Sequence, residues 1–281
     1  MSSKPSFSLG RAVSAAFVSM PAGIGAAFAP LLLLWALTSF GHTALMHFVH
    51  GGGFLLAFHP LIFIVFCLLT VVFKVMAQGA IYRVAVFGRD ARREGLGPLG
   101  LQFGAPELRL LGSAVLIGLF YLVIAAAIFV VFAVIFNLSG LAGEEPNTLK
   151  ALLTVFCRHQ GVDWIFILYI IGAWIFLVFL AVRFCLAPVA TIAQGKVVAL
   201  NALGLSSGNV FKLFAGIFLF VLPLALVVVV VIHHVMPSMP RGAGRLAVHA
   251  GMQALAIFVI FPLLAGFFSS AYRQIVDLRA K

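Results

Sequence analysis

Seven side chains in this sequence could hold an anionic ligand near membrane depth: Lys74, Gln78, Arg83, Arg109, Arg183, Lys212 and Arg273. Lys74, Gln78 and Tyr82 stand at i, i+4 and i+8, so they share one stripe of a helix. Ser269, Arg273 and Asp277 repeat that spacing near the C-terminus. Cations beside long apolar runs either snorkel to head groups in general or together line a pocket for one of them. The pocket reading predicts an inner-leaflet site for an anionic phospholipid head group.

Histidines offer a second chemistry. All eight fall in the half of the chain assigned below to the outer side, with Met46, Cys157, Met236 and Met239. Neutral imidazoles bind Zn or Cu, which makes His42, His47, His50, His233 and His234 candidate metal ligands. The competing reading is histidine at the outer interface, because no pair has i, i+4 ligand spacing.

Catalytic motifs fail on context. Gly204-Leu205-Ser206-Ser207-Gly208 matches the serine-hydrolase elbow, but a nucleophile needs a base within hydrogen-bond reach. The histidines lie a bilayer away, about 30 Å. Ser206 or Ser207 then reads as a cap for the following helix. Gly95-Leu96-Gly97-Pro98-Leu99-Gly100 matches GxGxxG, yet a helix precedes it and Pro98 stands where the nucleotide-binding helix should begin. No catalytic residue and no cofactor is expected, and the chain is read as a non-enzyme.

The elements that must position these groups follow from composition. Of 281 residues, 64% are hydrophobic and 9% charged, against roughly 25% charged in soluble domains. Such a chain cannot cover a water-soluble globule, and its apolar residues gather in runs of bilayer length. Six crossings are predicted at about 24–40, 54–76, 110–136, 164–183, 210–232 and 252–268, the second helix continuing to about Phe87. Interfacial helices are expected at 8–20, ended by Pro21 and Gly23, and near 148–157. Pro223 and Pro262 should kink the fifth and sixth helices. The fold class is all-α, a polytopic membrane protein forming one domain.

Arginines assign direction. Tyr82 to Arg109 holds Arg83, Arg89, Arg92, Arg93 and Arg109 among glycines, and guanidiniums do not cross hydrocarbon. That segment is read as a cytoplasmic loop. With both termini inside, inner segments hold 14 Lys or Arg and outer ones four: Lys150, Arg158, Arg241 and Arg245. The net charge of +11 is thereby explained without nucleic acid, which would need a wet basic surface. A cleaved leader ending at Ala27-Phe28-Ala29 is disfavoured by Pro30 and by an apolar run continuing to Phe40. Cys67, Cys157 and Cys185 are scattered and form no CxxC.

A three-fold repeat of helical hairpins is suggested by the exits Ala80-Ile81-Tyr82-Arg83, Ala181-Val182-Arg183 and Ala271-Tyr272-Arg273. Helix ends at a cytoplasmic interface select such residues anyway. No Asp or Glu lies within the six runs, so proton-coupled transport lacks its usual carboxylate.

Arg183-Phe184-Cys185-Leu186-Ala187-Pro188, followed by a short inner segment and a small-residue turn into a helix, resembles the membrane domain of glycerophosphoryl diester phosphodiesterases. Gly104-Ala105-Pro106-Glu107-Leu108-Arg109-Leu110-Leu111 is similar to the inner loop of stand-alone bacterial relatives of that domain. The resemblance spans most of the chain and departs from the pattern at Phe211, where a Trp often follows the turn. The soluble phosphodiesterase barrel, with its paired carboxylates and His, is absent from this stretch. What the resemblance implies is a non-catalytic inner-membrane protein engaging lipids, expected to be anionic, or partner proteins through a basic cytoplasmic face. A transporter or channel for a small solute is the alternative. Ala114 and Gly118 permit close helix packing, within the chain or in a homo-oligomer.

Overall fold

The computed structural model describes residues 7–41, 59–138, 163–239 and 242–280. The helix expected near 148–157 lies outside these residues. All regular structure among them is helical, in agreement with an all-α membrane fold. Its helices are α1 (Leu9–Ala26), α2 (Phe28–Ala36), α3 (His59–Phe87), α4 (Ala105–Leu138), α5 (Asp163–Phe184), α6 (Ala187–Gln194), α7 (Val210–Val230), α8 (Ala243–Leu255) and α9 (Phe261–Ala280). Five are long and apolar enough to cross a membrane, counting α8 and α9 as one rod; α1 and α2 form a further candidate bent by 80°.

The bend corrects one expectation. Pro21 does not end α1: it lies inside the helix, and the break falls at Ala27. A proline removes only its own N–H from the ladder, and the buried face of Ala12, Ala16 and Gly23 carries the helix past it. Ala27 is fully buried where Gly100, at φ 78°, presses on the Ala26 carbonyl. Tertiary contact with the 98–100 turn sets the break. α1 is also more than a surface helix, since it packs along α9 and against α3.

Prolines later in the chain behave similarly. Pro223 sits inside an uninterrupted α7. Irregularity appears instead as π turns at Val231–Val235 and Ala256–Ile260. The second directly precedes Phe261-Pro262, where proline cannot donate to the carbonyl four residues back, and a π turn absorbs that gap.

α4 begins at the Ala105-Pro106-Glu107 start that its sequence predicts. The Gly104 N–H donates to Glu107 Oε2 at 3.0 Å, the reach-back half of a capping box. The Arg183-to-Pro188 segment forms the corner between α5 and α6. Leu186 and Ala187 are fully buried there, and Pro188 occupies the first turn of α6, where its missing N–H is no loss. α6 is wedged between α3, α4 and α9.

The core therefore sits at one end of the bundle, built from Ala77, Ala80, Ile81, Leu186, Ala190, Phe267 and Ala271 among others. Further along, α4 exposes Leu122, Val123 and Phe129 over more than 60% of their surface. Apolar surface of that extent belongs in lipid or against a partner.

Small residues make the closest approach. A side chain at Gly266 of α9 would strike Ser19 Oγ and come within 3.0 Å of Ala16 Cα on α1. Backbone cannot yield as a side chain can, so Gly266→Val should destabilise the bundle by about 1–3 kcal/mol. Thermal unfolding in detergent, compared with Gly172→Val at an uncrowded helical position, measures this.

Candidate functional site

Two charges inside the bundle lie closest to any chemistry. Arg83, near the end of α3, and Glu107, in the first turn of α4, form an ion pair of 2.7 Å between Nη1 and Oε1. Their side chains are 2% and 1% exposed. Gly79, one turn before Arg83, makes the space: a Cβ there would stand 2.7 Å from Glu107 Oε1. Glu107 thus gives one oxygen to Arg83 and the other to the Gly104 N–H. Read from sequence as one of seven ligand-facing groups, Arg83 is turned inward and kept from lipid.

The other cations of that set take separate partners. Arg273 donates through Nη2 to the carbonyls of Ala85 and Val86, in the last turn of α3. Arg183 donates to the Leu203 carbonyl at 2.7 Å and lies over the Phe179 ring. Lys212 donates to the Phe7 carbonyl at 2.9 Å and stands over that ring. Arg109 is half-buried beside Gly195, just past α6. The last carbonyls of a helix lack intrahelical donors, so a cation there supplies a hydrogen bond and opposes the negative helix end. These four residues are dispersed over the end of the bundle and do not converge on one pocket.

Lys74 and Gln78 do share a cavity. They line a groove of about 520 Å³ between α3, α4 and the α5–α6 corner, with Ser113, Ala114, Gly118 and Tyr121 across from them. Ser113 donates to the Val198 carbonyl and Tyr121 to the Leu177 carbonyl, so both hydroxyls are already engaged by the fold. The two ion pairs among the described residues, Arg83–Glu107 and the exposed Arg93–Asp90, leave Lys74 out. Ala114 and Gly118, whose spacing permits close packing within the chain or between chains, are exposed on the groove wall, and nothing lies within 4 Å of a Cβ built at Gly118.

The three exits of the suggested repeat occupy unlike places. Arg83 is ion-paired, Arg183 and Arg273 hold different carbonyls, and Ala181 is exposed where Ala80 and Ala271 are fully buried.

Metal and catalytic motifs find no support in the geometry. His233 and His234 are exposed in the π turn after α7, while His42, His47 and His50 lie outside the described residues. Among the described residues no group of three or more His, Cys, Asp or Glu is placed to hold a metal ion. Ser206 is buried and donates back to Ala202 and Leu203, rather than capping α7, whose N-cap is Asn209. The Gly95-to-Gly100 segment is a turn docked on α1, where Gly97 N–H bonds the Gln102 side chain.

Sequence had one usable signal for the Arg83–Glu107 pair: Glu107 is the sole carboxylate at the start of α4. Nothing in the spacing connected it to Arg83, 24 positions earlier. Comparison with protein-family models, with curated proteins and with solved structures finds no match.

Removing one partner of a buried ion pair strands a charge, so Arg83→Gln and Glu107→Gln should each cost about 3–5 kcal/mol. The double Arg83→Met, Glu107→Met variant should recover much of that, because no charge is left buried. A double-mutant cycle of thermal stability in detergent reads the difference, and additive losses would show the pair to be uncoupled.

Proposed function

We propose that this chain is a non-catalytic protein of a bacterial inner membrane, of the type of the stand-alone membrane domain of glycerophosphodiesterases. It engages anionic lipids, or partner proteins, through a basic cytoplasmic face. The observation that supports this reading is the sorting of its cations. Of the described Lys and Arg, all but Lys74 and Arg245 belong to the end of the bundle where α3 and α9 finish and α4 and α7 begin. At that end Arg83, Arg183, Lys212 and Arg273 serve the fold, whereas Arg11, Arg89, Arg92, Arg93 and Lys196 are exposed. Exposed cations beside apolar helices meet the head groups of an anionic leaflet, each contributing about 1 kcal/mol to attraction.

In this reading the basic end faces the cytoplasm, both termini lie inside, and α1 follows the inner interface before α2 crosses. Reporters fused after Lys281 should be active only as cytoplasmic fusions; activity in the periplasm would reverse the assignment. Replacing Arg89, Arg92 and Arg93 together with Gln should lower the anionic share of co-purified lipid measured by mass spectrometry, leaving thermal stability within about 0.5 kcal/mol. An unchanged lipid profile sinks the basic-face reading.

The 80° break between α1 and α2 favours one second reading, a carrier for a small solute, since carriers build their sites at interrupted helices. Solute flux in proteoliposomes separates the two.

A further inference from the structure

We propose that the groove holding Lys74 and Gln78 is a binding site for one anionic phospholipid, its phosphate drawn below the surface of its own leaflet. The proposal rests on the lipid-engaging reading above and names the place and the depth.

Depth comes from the helix. Lys74 precedes Arg83 by nine residues, roughly 13 Å along α3 at 1.5 Å per residue. Arg83 and Glu107 mark the level at which α4 starts, so Lys74 stands more than two helical turns inward of that level, exposed on the wall of the groove. A lysine beside hydrocarbon is unfavourable unless something compensates it. No carboxylate among the described residues does so. Compensation must then come from outside the chain.

Shape and polarity select the occupant. Ser113 and Tyr121 spend their hydroxyls on Val198 and Leu177, which leaves Lys74 and Gln78 as the polar groups facing the space, with Gln78 bonded to Tyr82. The rest of the wall is apolar, and the small Ala114 and Gly118 widen it on the α4 side. One anionic point within an apolar trough matches a phosphodiester with an acyl chain attached. The phosphate lies at Lys74, and the chain runs along α4 over Gly118 towards Tyr121, the last residue of α4 on the groove wall. A free inorganic anion would leave the apolar wall empty, and a neutral lipid would leave the ammonium unpaired.

Gly118 makes the test clean. A Cβ at Gly118 has nothing within 4 Å and Leu improves helix propensity, so the fold should tolerate Gly118→Leu. Purified, delipidated protein in detergent would be titrated with phosphatidylglycerol and with phosphatidylcholine, following the shift in unfolding temperature. The wild type should be stabilised by phosphatidylglycerol and far less by phosphatidylcholine. Gly118→Leu should keep its basal unfolding temperature and lose the shift, and Lys74→Gln should bind phosphatidylglycerol about tenfold more weakly, the loss of one charge-assisted contact. Gly172→Leu, at an uncrowded position on α5 outside the groove, should behave as wild type. A shift that survives both Gly118→Leu and Lys74→Gln overturns the proposal. If that surviving shift disappears when Arg89, Arg92 and Arg93 are replaced, lipid engagement stands and this site falls. No shift in the wild type removes both.

Discussion

Two helices of this bundle are held together by a pair of buried charges. Arg83 and Glu107 face each other across the junction of α3 and α4, each almost wholly buried. Their attraction only offsets the desolvation of both groups if the geometry is close and the leftover hydrogen-bonding capacity is used. Glu107 meets that condition by capping its own helix through the Gly104 N–H, and Gly79 meets it by having no side chain. One contact thereby sets how closely α3 and α4 approach at the basic end. Beyond it α4 runs on with few partners, so the two helices frame the groove that Lys74 and Gln78 line.

The basic end is a joint as well as a surface. Six chain segments meet there: the start of α1, the ends of α3 and α9, the starts of α4 and α7, and the α5–α6 corner. Each brings carbonyls or amides without helical partners. Arg183, Lys212 and Arg273 satisfy some of them, and Asn209 accepts from the Phe7 N–H. In an apolar setting an unmade hydrogen bond is expensive, so cations placed at helix ends are structural first and available to ligands only when exposed. Arg89, Arg92 and Lys196 have no such duty among the described contacts, which makes them a distinct class within the same cluster.

Particular residues show why a linear reading went astray. Arg83 shares a helix with Lys74 and Gln78, but nine residues turn it to the face opposite Lys74, and the sequence does not say what stands there. Glu107 reads correctly as a helix-start residue, and its second role is invisible because its partner is 24 positions away. Pro21 signals a break, but the break moved to Ala27, where the 98–100 turn presses in from a distant part of the chain. Ala114 and Gly118 permit close packing within or between chains; within this chain they line a cavity.

Composition and periodicity by themselves determined that the chain is helical, that its helices are apolar enough to lie in a membrane, and that α4 starts at Ala105. Those properties depend on local hydrogen bonding and on transfer from water to lipid, which are nearly additive along a sequence. Tertiary structure alone decided which charges are consumed inside the protein, where α1 bends, and that Lys74 faces a groove instead of a neighbour. Those outcomes depend on contacts between residues far apart in the chain, and pairing across such separations leaves no trace in a single sequence.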